Sequence, residues 1–202
     1  MTTVSNKTEI SPEQRISLYD RGHLKMISLI HDHLFGAFID PYKLLRAAGL
    51  SSGQRVLEVG PGPGFFTIPA AEIIGKDGHL YSLDINPAAV KKVREIVAEK
   101  GLKNTEVSLG DVAKTKLPDS SIDVAFLFGV IHNLRSLDDV LAELYRILNN
   151  HGIIAVQKSS WSEKKLLTSI TKGGAFRFAG KDSRVYKFEK MLACQLNTSD
   201  ER

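Results

Sequence analysis

The chain has 202 residues, of which 43% are hydrophobic and 25% charged, a composition typical of a globular domain with one sizeable core. No apolar run approaches the ~20 residues that a membrane-spanning helix needs, and residues 1–7 carry no hydrophobic signal region, so we expect a cytoplasmic protein without membrane insertion. The single cysteine, Cys194, excludes an internal disulfide and a zinc cluster of the Cys-x-x-Cys type.

The net charge of +4 is carried by the C-terminal quarter of the chain. Residues 1–150 hold 17 Lys and Arg against 18 Asp and Glu, whereas residues 151–202 hold 10 against 5. A basic edge can meet nucleic acid or an anionic substrate, but charges scattered over strands and a helix more often form solvated surface. Nucleic acid is therefore an open but less favoured partner.

The N-terminal part of the chain predicts a polar tail at residues 1–12, followed by one or two amphipathic helices. Apolar residues recur at three- and four-residue steps from Gln14 to Phe38. Such a segment either lies over a substrate cleft as a lid or only caps the sheet. His31 and His33 are two apart and point to different sides of a helix, so we expect surface histidines and no metal site. Asp40-Pro41 begins a short helix that Gly49 ends.

The next stretch, residues 55–71, predicts a strand, a glycine loop and a helix. An apolar run at residues 56–59 is typical of a strand buried on both faces, and helical spacing runs from Phe65 to Ile74. Between them, the glycines Gly60, Gly62 and Gly64 alternate. A loop without side chains lets a ligand touch the backbone, and the unpaired N–H groups of the following helix favour an anionic or strongly polar group there.

The spacing of these glycines distinguishes between two kinds of nucleotide-binding site. A dinucleotide fold shows G-x-G-x-x-G, but Phe65 occupies the sixth position. Instead, an acid, Glu58, stands two residues before the first of three alternate glycines. This pattern resembles motif I of the class I S-adenosylmethionine-dependent methyltransferases, and later landmarks between about Gly53 and Lys190 match that family in order and separation.

The resemblance implies S-adenosyl-L-methionine as cofactor, with the glycine loop around its methionine part. The residues that it implies there are Glu58, Gly60, Pro61, Gly62 and Gly64.

Asp84 ends the second predicted strand, which runs from His79 to Ile85. It follows Gly64 by 20 residues, where an open α/β sheet places the acid that accepts hydrogen bonds from a ribose. Asn86, followed by proline, is the better N-cap for the next helix, which leaves Asp84 for a ligand. We assign Ile85 to the same cofactor site.

Asp111 follows the third predicted strand, Glu106 to Leu109, within Gly-Asp-Val. Alone, Gly-Asp is only a turn signal. The resemblance implies that Asp111 accepts a hydrogen bond from the adenine amino group, with Val112 beside it.

The fourth predicted strand, Ile122 to Phe128, is followed by residues 129–134. This segment resembles the one that closes the methyl-donor pocket, and Val130 is its predicted cofactor contact. His132 is the candidate catalytic base, because the ordinary pKa of histidine lies near neutrality. The alternative is that His132 only packs or forms hydrogen bonds.

The C-terminal part predicts a helix from residue 136 to 148, stopped by residues 149–152, and then a fifth strand at Ile153–Val156. A helix at Ser162–Ile170 follows. Phe176–Ala179 and Val185–Phe188 then form a hairpin joined by a Gly-Lys-Asp-Ser turn.

This alternation predicts an α/β fold: a three-layer, doubly wound, seven-stranded sheet, mostly parallel with an antiparallel C-terminal hairpin. The resemblance implies a Rossmann-like methyltransferase fold with strand order 3-2-1-4-5-7-6. We assign residues 1–40 to the tail and helical lid, 41–191 to the methyltransferase domain and 192–202 to a C-terminal tail.

The resemblance further implies an enzyme that transfers a methyl group by direct in-line displacement. A small-molecule or lipid-like acceptor is favoured, because the Asp/Asn-Pro-Pro-Tyr/Phe motif of nucleic-acid amino-methyltransferases is absent, and covalent cytosine-type and arsenic methylation need cysteines. The alternatives are a catalytically silent S-adenosylmethionine-binding scaffold, an RNA methyltransferase and, less favoured, a nicotinamide-dependent oxidoreductase. The oligomeric state is left open.

Overall fold

The computed structural model describes residues 40–157 and 160–192, so the predicted N-terminal helix with His31 and His33, and the tail with Cys194, lie outside the described residues. The helices are α1 (Pro41–Ala47), α2 (Thr67–Ile74), α3 (Pro87–Glu99), α4 (Leu137–Ile147) and α5 (Glu163–Thr171). The strands are β1 (Arg55–Val59), β2 (His79–Asp84), β3 (Thr105–Leu109), β4 (Ile122–Phe128), β5 (Leu148–Gln157), β6 (Phe176–Asp182) and β7 (Val185–Lys190). No described helix is long and apolar enough to span a membrane.

The seven strands form one sheet in the order β3-β2-β1-β4-β5-β7-β6. Strands β1 to β5 pair in parallel, because a helix carries the chain back across the sheet between most of them. Strand β7 pairs antiparallel with both β5 and β6. The predicted strand order, the mostly parallel sheet and the antiparallel C-terminal hairpin are confirmed.

The sheet is buried on both faces, which makes three layers. On one face, α1 and α2 pack over residues such as Val56 of β1 and Phe126 of β4. On the other face, α4 and α5 pack over Leu57 and Val59 of β1 and their neighbours. Because side chains alternate along a strand, Glu58 shares the α2 face with Val56. The apolar run of β1 therefore has one charged side chain inside it.

Side-chain caps explain where four of the described α-helices begin. Asp40 accepts the N–H groups of Tyr42 and Lys43, and the side chains of Asn86, Ser136 and Ser162 accept one each at the starts of α3, α4 and α5. Helix α2 begins at Thr67, two residues later than the sequence predicts. The intervening Phe66 packs its ring edge-on against Phe128, with 5.0 Å between centroids, and this contact fixes the end of the glycine loop against β4.

The predicted end of this helix at Leu148 lies one residue past its observed end at Ile147, but residues 149–152, predicted as a stop before the strand, belong to β5, which follows α4 directly. The pairing of β5 with β4 shifts register between Ile122 and Val124, and His151 has a positive φ of 64°. The Asn149 side chain donates to Asp123 at 2.6 Å. Residues that signal a turn are thus accommodated in an irregular strand start.

The hairpin turn is also displaced from its predicted place. Gly180, Lys181 and Asp182 belong to β6, and the turn falls at Ser183, whose φ is 54°. A bulge lies between Phe178 and Gly180, where the strand register shifts. Strand β6 is one of the two edges of the described sheet, the other being β3, and most of its side chains are exposed.

The Phe126→Ala substitution should destabilise the domain by about 3–5 kcal/mol, because it empties a buried aromatic position that contacts Phe66 and Phe128. Urea denaturation measures the free energy of unfolding. The matched control is Phe178→Ala, since Phe178 is 43% exposed, and it should cost about 1 kcal/mol. Equal costs would contradict the core packing described above.

Candidate cofactor-binding site

The glycine loop, residues 60–64, leaves the C-terminal end of β1 in a conformation that needs glycine. Gly60, Gly62 and Gly64 have φ values of 69°, 54° and 92°, which L side chains rarely adopt. The Gly60 N–H donates to the Leu83 carbonyl at 2.8 Å, and the Gly64 N–H donates to the Pro61 carbonyl at 2.9 Å. The loop is thus tied both to itself and to the end of β2.

The three glycines have different surroundings. A Cβ added to Gly60 would lie 2.4 Å from Cγ1 of Val130, and one added to Gly64 would lie 3.3 Å from Cδ1 of Ile96 in α3. A Cβ added to Gly62 would meet no heavy atom of the described residues within 4 Å. Gly60 and Gly64 therefore permit close packing of the loop, whereas Gly62 borders open space.

Asp84 connects the loop to the end of β2. Its Oδ2 accepts the Gly62 N–H at 3.2 Å, and its Oδ1 accepts the Asn86 N–H at 2.8 Å. Burial raises the pKa of the Asp84 carboxyl, while the backbone N–H groups that it accepts from act in the opposite direction. Asn86 is the N-cap of α3, as predicted, but Asp84 also accepts hydrogen bonds from backbone N–H groups. Because a carboxylate has about four acceptor sites, both oxygens keep capacity for a ligand.

Glu58 is buried beneath the loop, with only 1% of its surface exposed. Its Oε2 accepts the hydroxyls of Thr67 and Ser82, each at 2.7 Å. Its Oε1 is buried without a hydrogen-bond partner among the described residues. Burial raises the pKa of Glu58 to about 7, although the hydrogen bonds from the two hydroxyls lower it.

Thr67 and Ser82 are site residues that the sequence did not reveal. Ser82 is the register partner of Glu58 on β2, and Thr67 is the first residue of α2. A polar residue at the position of β2 that pairs with the buried acid was the available signal. It can be used only after the strand register is known.

The remaining predicted cofactor residues lie around the same edge of the sheet. Ile85 follows β2 and is 55% exposed, so its apolar side chain is accessible at this edge. Asp111 follows β3, and its Oδ1 accepts the Ala113 N–H at 2.9 Å, while Val112 is buried in the core. Asp111 thus forms the turn that its sequence context indicates, and its carboxylate can still accept further hydrogen bonds.

Pro61, Val130 and His132 occupy the two loops that face each other after β1 and β4. Pro61 is buried within the glycine loop, and Val130 packs against Gly60. His132 is exposed in a 3-10 turn, Ile131–Asn133. The fold therefore brings the predicted residues after β1 and β4 together.

Three features fit the amino-acid part of S-adenosylmethionine. Glu58 offers a buried oxygen without a partner, and Gly62 borders open space. Among the described α-helices, α2 is the one whose N-cap residue, Phe66, makes no side-chain hydrogen bond to the first turn.

No group of three or more His, Cys, Asp or Glu within the described residues is arranged to hold a metal ion.

The Gly60→Ala substitution should destabilise the domain by about 2–4 kcal/mol, because its methyl group meets Val130 and its φ disfavours a side chain. Gly62→Ala carries only the penalty of its positive φ and should cost about 1–2 kcal/mol. Thermal and urea unfolding measure both. The double variant Gly60→Ala with Val130→Ala should recover part of the loss, and no recovery would refute the contact.

A family model described as a methyltransferase domain matches residues 50–190. The chain is 29% identical over 153 residues to a ubiquinone/menaquinone biosynthesis C-methyltransferase of Ectopseudomonas mendocina, covering 74% of this chain and 60% of that protein. It is 32% identical over 109 residues to an arsenite methyltransferase of Halobacterium salinarum, covering 54% of this chain and 28% of that protein. The chain thus spans less than two thirds of either relative.

A crystal structure of a SAM-dependent methyltransferase from Aquifex aeolicus matches the fold with a TM-score of 0.74 and 25% identity, covering 84% of this chain and 98% of that one. The family model covers most of the chain. The chain therefore belongs to the methyltransferase domain family, as a class I S-adenosylmethionine-dependent methyltransferase.

Proposed function

We propose that this domain transfers the methyl group of S-adenosylmethionine to a small-molecule acceptor at the C-terminal edge of its parallel strands. The observation that carries the proposal is the hydrogen bond from the Gly62 N–H to Asp84, beside the open space at Gly62. It joins the two segments that would hold the amino-acid part and the ribose of one ligand. Ligands of open α/β sheets bind at this edge.

Each part of the cofactor has a candidate contact on this chain. Asp84 would accept hydrogen bonds from the ribose, Ile85 would pack against the adenine, and Asp111 would accept from the adenine amino group. Val112 and Val130 would flank the ligand from the core side and from the loop after β4.

At the other end of the cofactor, the glycine loop would hold the methionine part. The backbone at Gly62 would approach it, and Glu58 would face its ammonium group. Gly60, Pro61 and Gly64 would act by shaping the loop, since their surroundings are packed.

The cofactor carries its methyl group on a sulfonium and so supplies the electrophile, while the protein supplies placement. Holding an acceptor nucleophile in line can account for several kcal/mol of the barrier without any covalent bond to the enzyme. We propose His132 as the group that takes the proton from an acceptor hydroxyl or amine, because it is exposed two residues after Val130 at this edge.

The preference for a small acceptor rests on the relatives. One relative is named a quinone-biosynthesis C-methyltransferase and another an arsenite methyltransferase. We further propose that residues 1–40 comprise a tail and an amphipathic helical lid, that residues 192–202 form a tail and that the protein is cytoplasmic.

Asp84→Ala should weaken S-adenosylmethionine binding by about 1–3 kcal/mol, because charge-assisted hydrogen bonds to the ribose would be lost. Isothermal calorimetry measures the affinity. The matched control is Asp77→Ala, which removes an exposed acid from the turn before β2 and should leave the affinity unchanged. Unchanged affinity in the Asp84 variant would remove Asp84 from the site.

Incubation of the full chain with methyl-labelled S-adenosylmethionine and a cell extract should place the label in small organic molecules. The extract is then fractionated into metabolites, RNA and protein, and each fraction is counted. Label found only in RNA would replace the proposal with an RNA methyltransferase that uses the basic C-terminal part. Binding without transfer to any fraction would indicate a silent scaffold.

The His132→Asn variant, run in parallel, tests the proposed base. It should lower kcat while cofactor affinity is kept. An unaltered kcat would leave His132 a structural residue.

A further inference from the structure

The two hydroxyl groups around Glu58 are arranged on one side of its carboxylate. Thr67 Oγ1 and Ser82 Oγ both donate to Oε2 at 2.7 Å, and neither donates to Oε1. Thr67 comes from α2 and Ser82 from β2, so two separate elements converge on one oxygen. The other oxygen is left buried and without a partner among the described residues.

A carboxylate oxygen that is buried without a hydrogen-bond partner carries a cost in stability. The cost could have been reduced by sharing the two donors between the two oxygens. The arrangement instead concentrates them on Oε2, which fixes the plane and rotation of the carboxylate. The geometry therefore keeps Oε1 available for a donor that comes from outside the protein.

We propose that Thr67 and Ser82 are positioning residues for cofactor binding: by holding Oε2 of Glu58, they present Oε1 to the cationic amino group of the cofactor's methionine part. This inference rests on the proposed function, because it assumes the cofactor orientation given there. It adds two residues that have no contact with the ligand themselves. Both act through Glu58.

The electrostatics around Glu58 give this role a pH signature. Burial raises the pKa of Glu58 to about 7, and each hydroxyl lowers it by stabilising the ionised form. Asp84 at the end of β2 is the charged neighbour that acts on Glu58, and it raises the pKa further. On α2 and β4, the facing residues Thr67 and Phe126 carry no charge.

The direction of the pH dependence follows from the charge on Glu58. An amino cation is held by the ionised carboxylate, so affinity for it should fall as pH drops through about 7. Removal of a hydroxyl takes away a group that lowers the pKa. The fall in affinity should then begin at a higher pH than in the unaltered chain.

The test compares two probes on the full chain by calorimetry: S-adenosylhomocysteine, which has the amino-acid part, and 5′-methylthioadenosine, which lacks it. Ser82→Ala and Thr67→Val should each weaken S-adenosylhomocysteine binding about tenfold. Affinity for methylthioadenosine should stay within twofold, because the ribose and adenine contacts are unaltered. The matched control Thr67→Ser keeps the hydroxyl and should keep the affinity.

The pH series should show the loss of S-adenosylhomocysteine affinity beginning at a higher pH in Ser82→Ala and Thr67→Val. Equal weakening of both probes, or an unmoved pH dependence, would mean that the hydroxyls only support the fold and would overturn the inference. If the unaltered chain bound neither probe, the proposed function would fail first and the inference with it. If one variant does not fold, the other carries the test.

Discussion

A carboxylate inside an apolar sheet needs hydrogen-bond donors, and the cofactor edge of this domain is arranged around that need. Glu58 receives them from Thr67 and Ser82, so β1, β2 and α2 meet at one oxygen. The glycine loop leaves β1 two residues later, and its position depends on how these three elements are held. The buried acid thus connects the core of the sheet to the start of the glycine loop.

The polar groups of the edge come from turns that follow adjacent parallel strands. The loop after β1 is joined to the end of β2 through Asp84 and through the Leu83 carbonyl, and it meets the loop after β4 at Val130. These contacts involve backbone groups of the loop, so its conformation, more than its side chains, defines this edge of the sheet.

The fold could be predicted well from the sequence because each element carries its own local signal. The alternation of strand and helix, the caps followed by proline and the three alternate glycines locate the elements, and the resemblance to the family supplies the strand order. The predictions that failed depended on tertiary contacts. Residues 149–152 contain two asparagines and a glycine, yet the pairing of the flanking Leu148 and Ile153 with β4 and the Asn149–Asp123 hydrogen bond keep them in β5.

The candidate site could be predicted only in part. The acids and glycines stand out by spacing, but Thr67 and Ser82 do not, because their partner is defined by a strand register that the sequence does not state. Gly64 matches the motif, although its surroundings are those of a packing contact with α3. A motif thus identifies which positions matter. The burial of each position then distinguishes residues that can contact a ligand from residues that pack in the core.

The open side of β6 has a consequence for the protein in concentrated solution. An exposed edge strand offers unpaired backbone groups to any other extended chain and is a common starting point for aggregation. In β6, the bulge at Phe178–Gly180 interrupts the regular spacing of those groups, and Arg177, Lys181 and Asp182 place charges along it. A second copy that approached edge to edge would have to bury these charges. The same irregularity that displaced the hairpin turn thereby disfavours edge-to-edge assembly of the sheet.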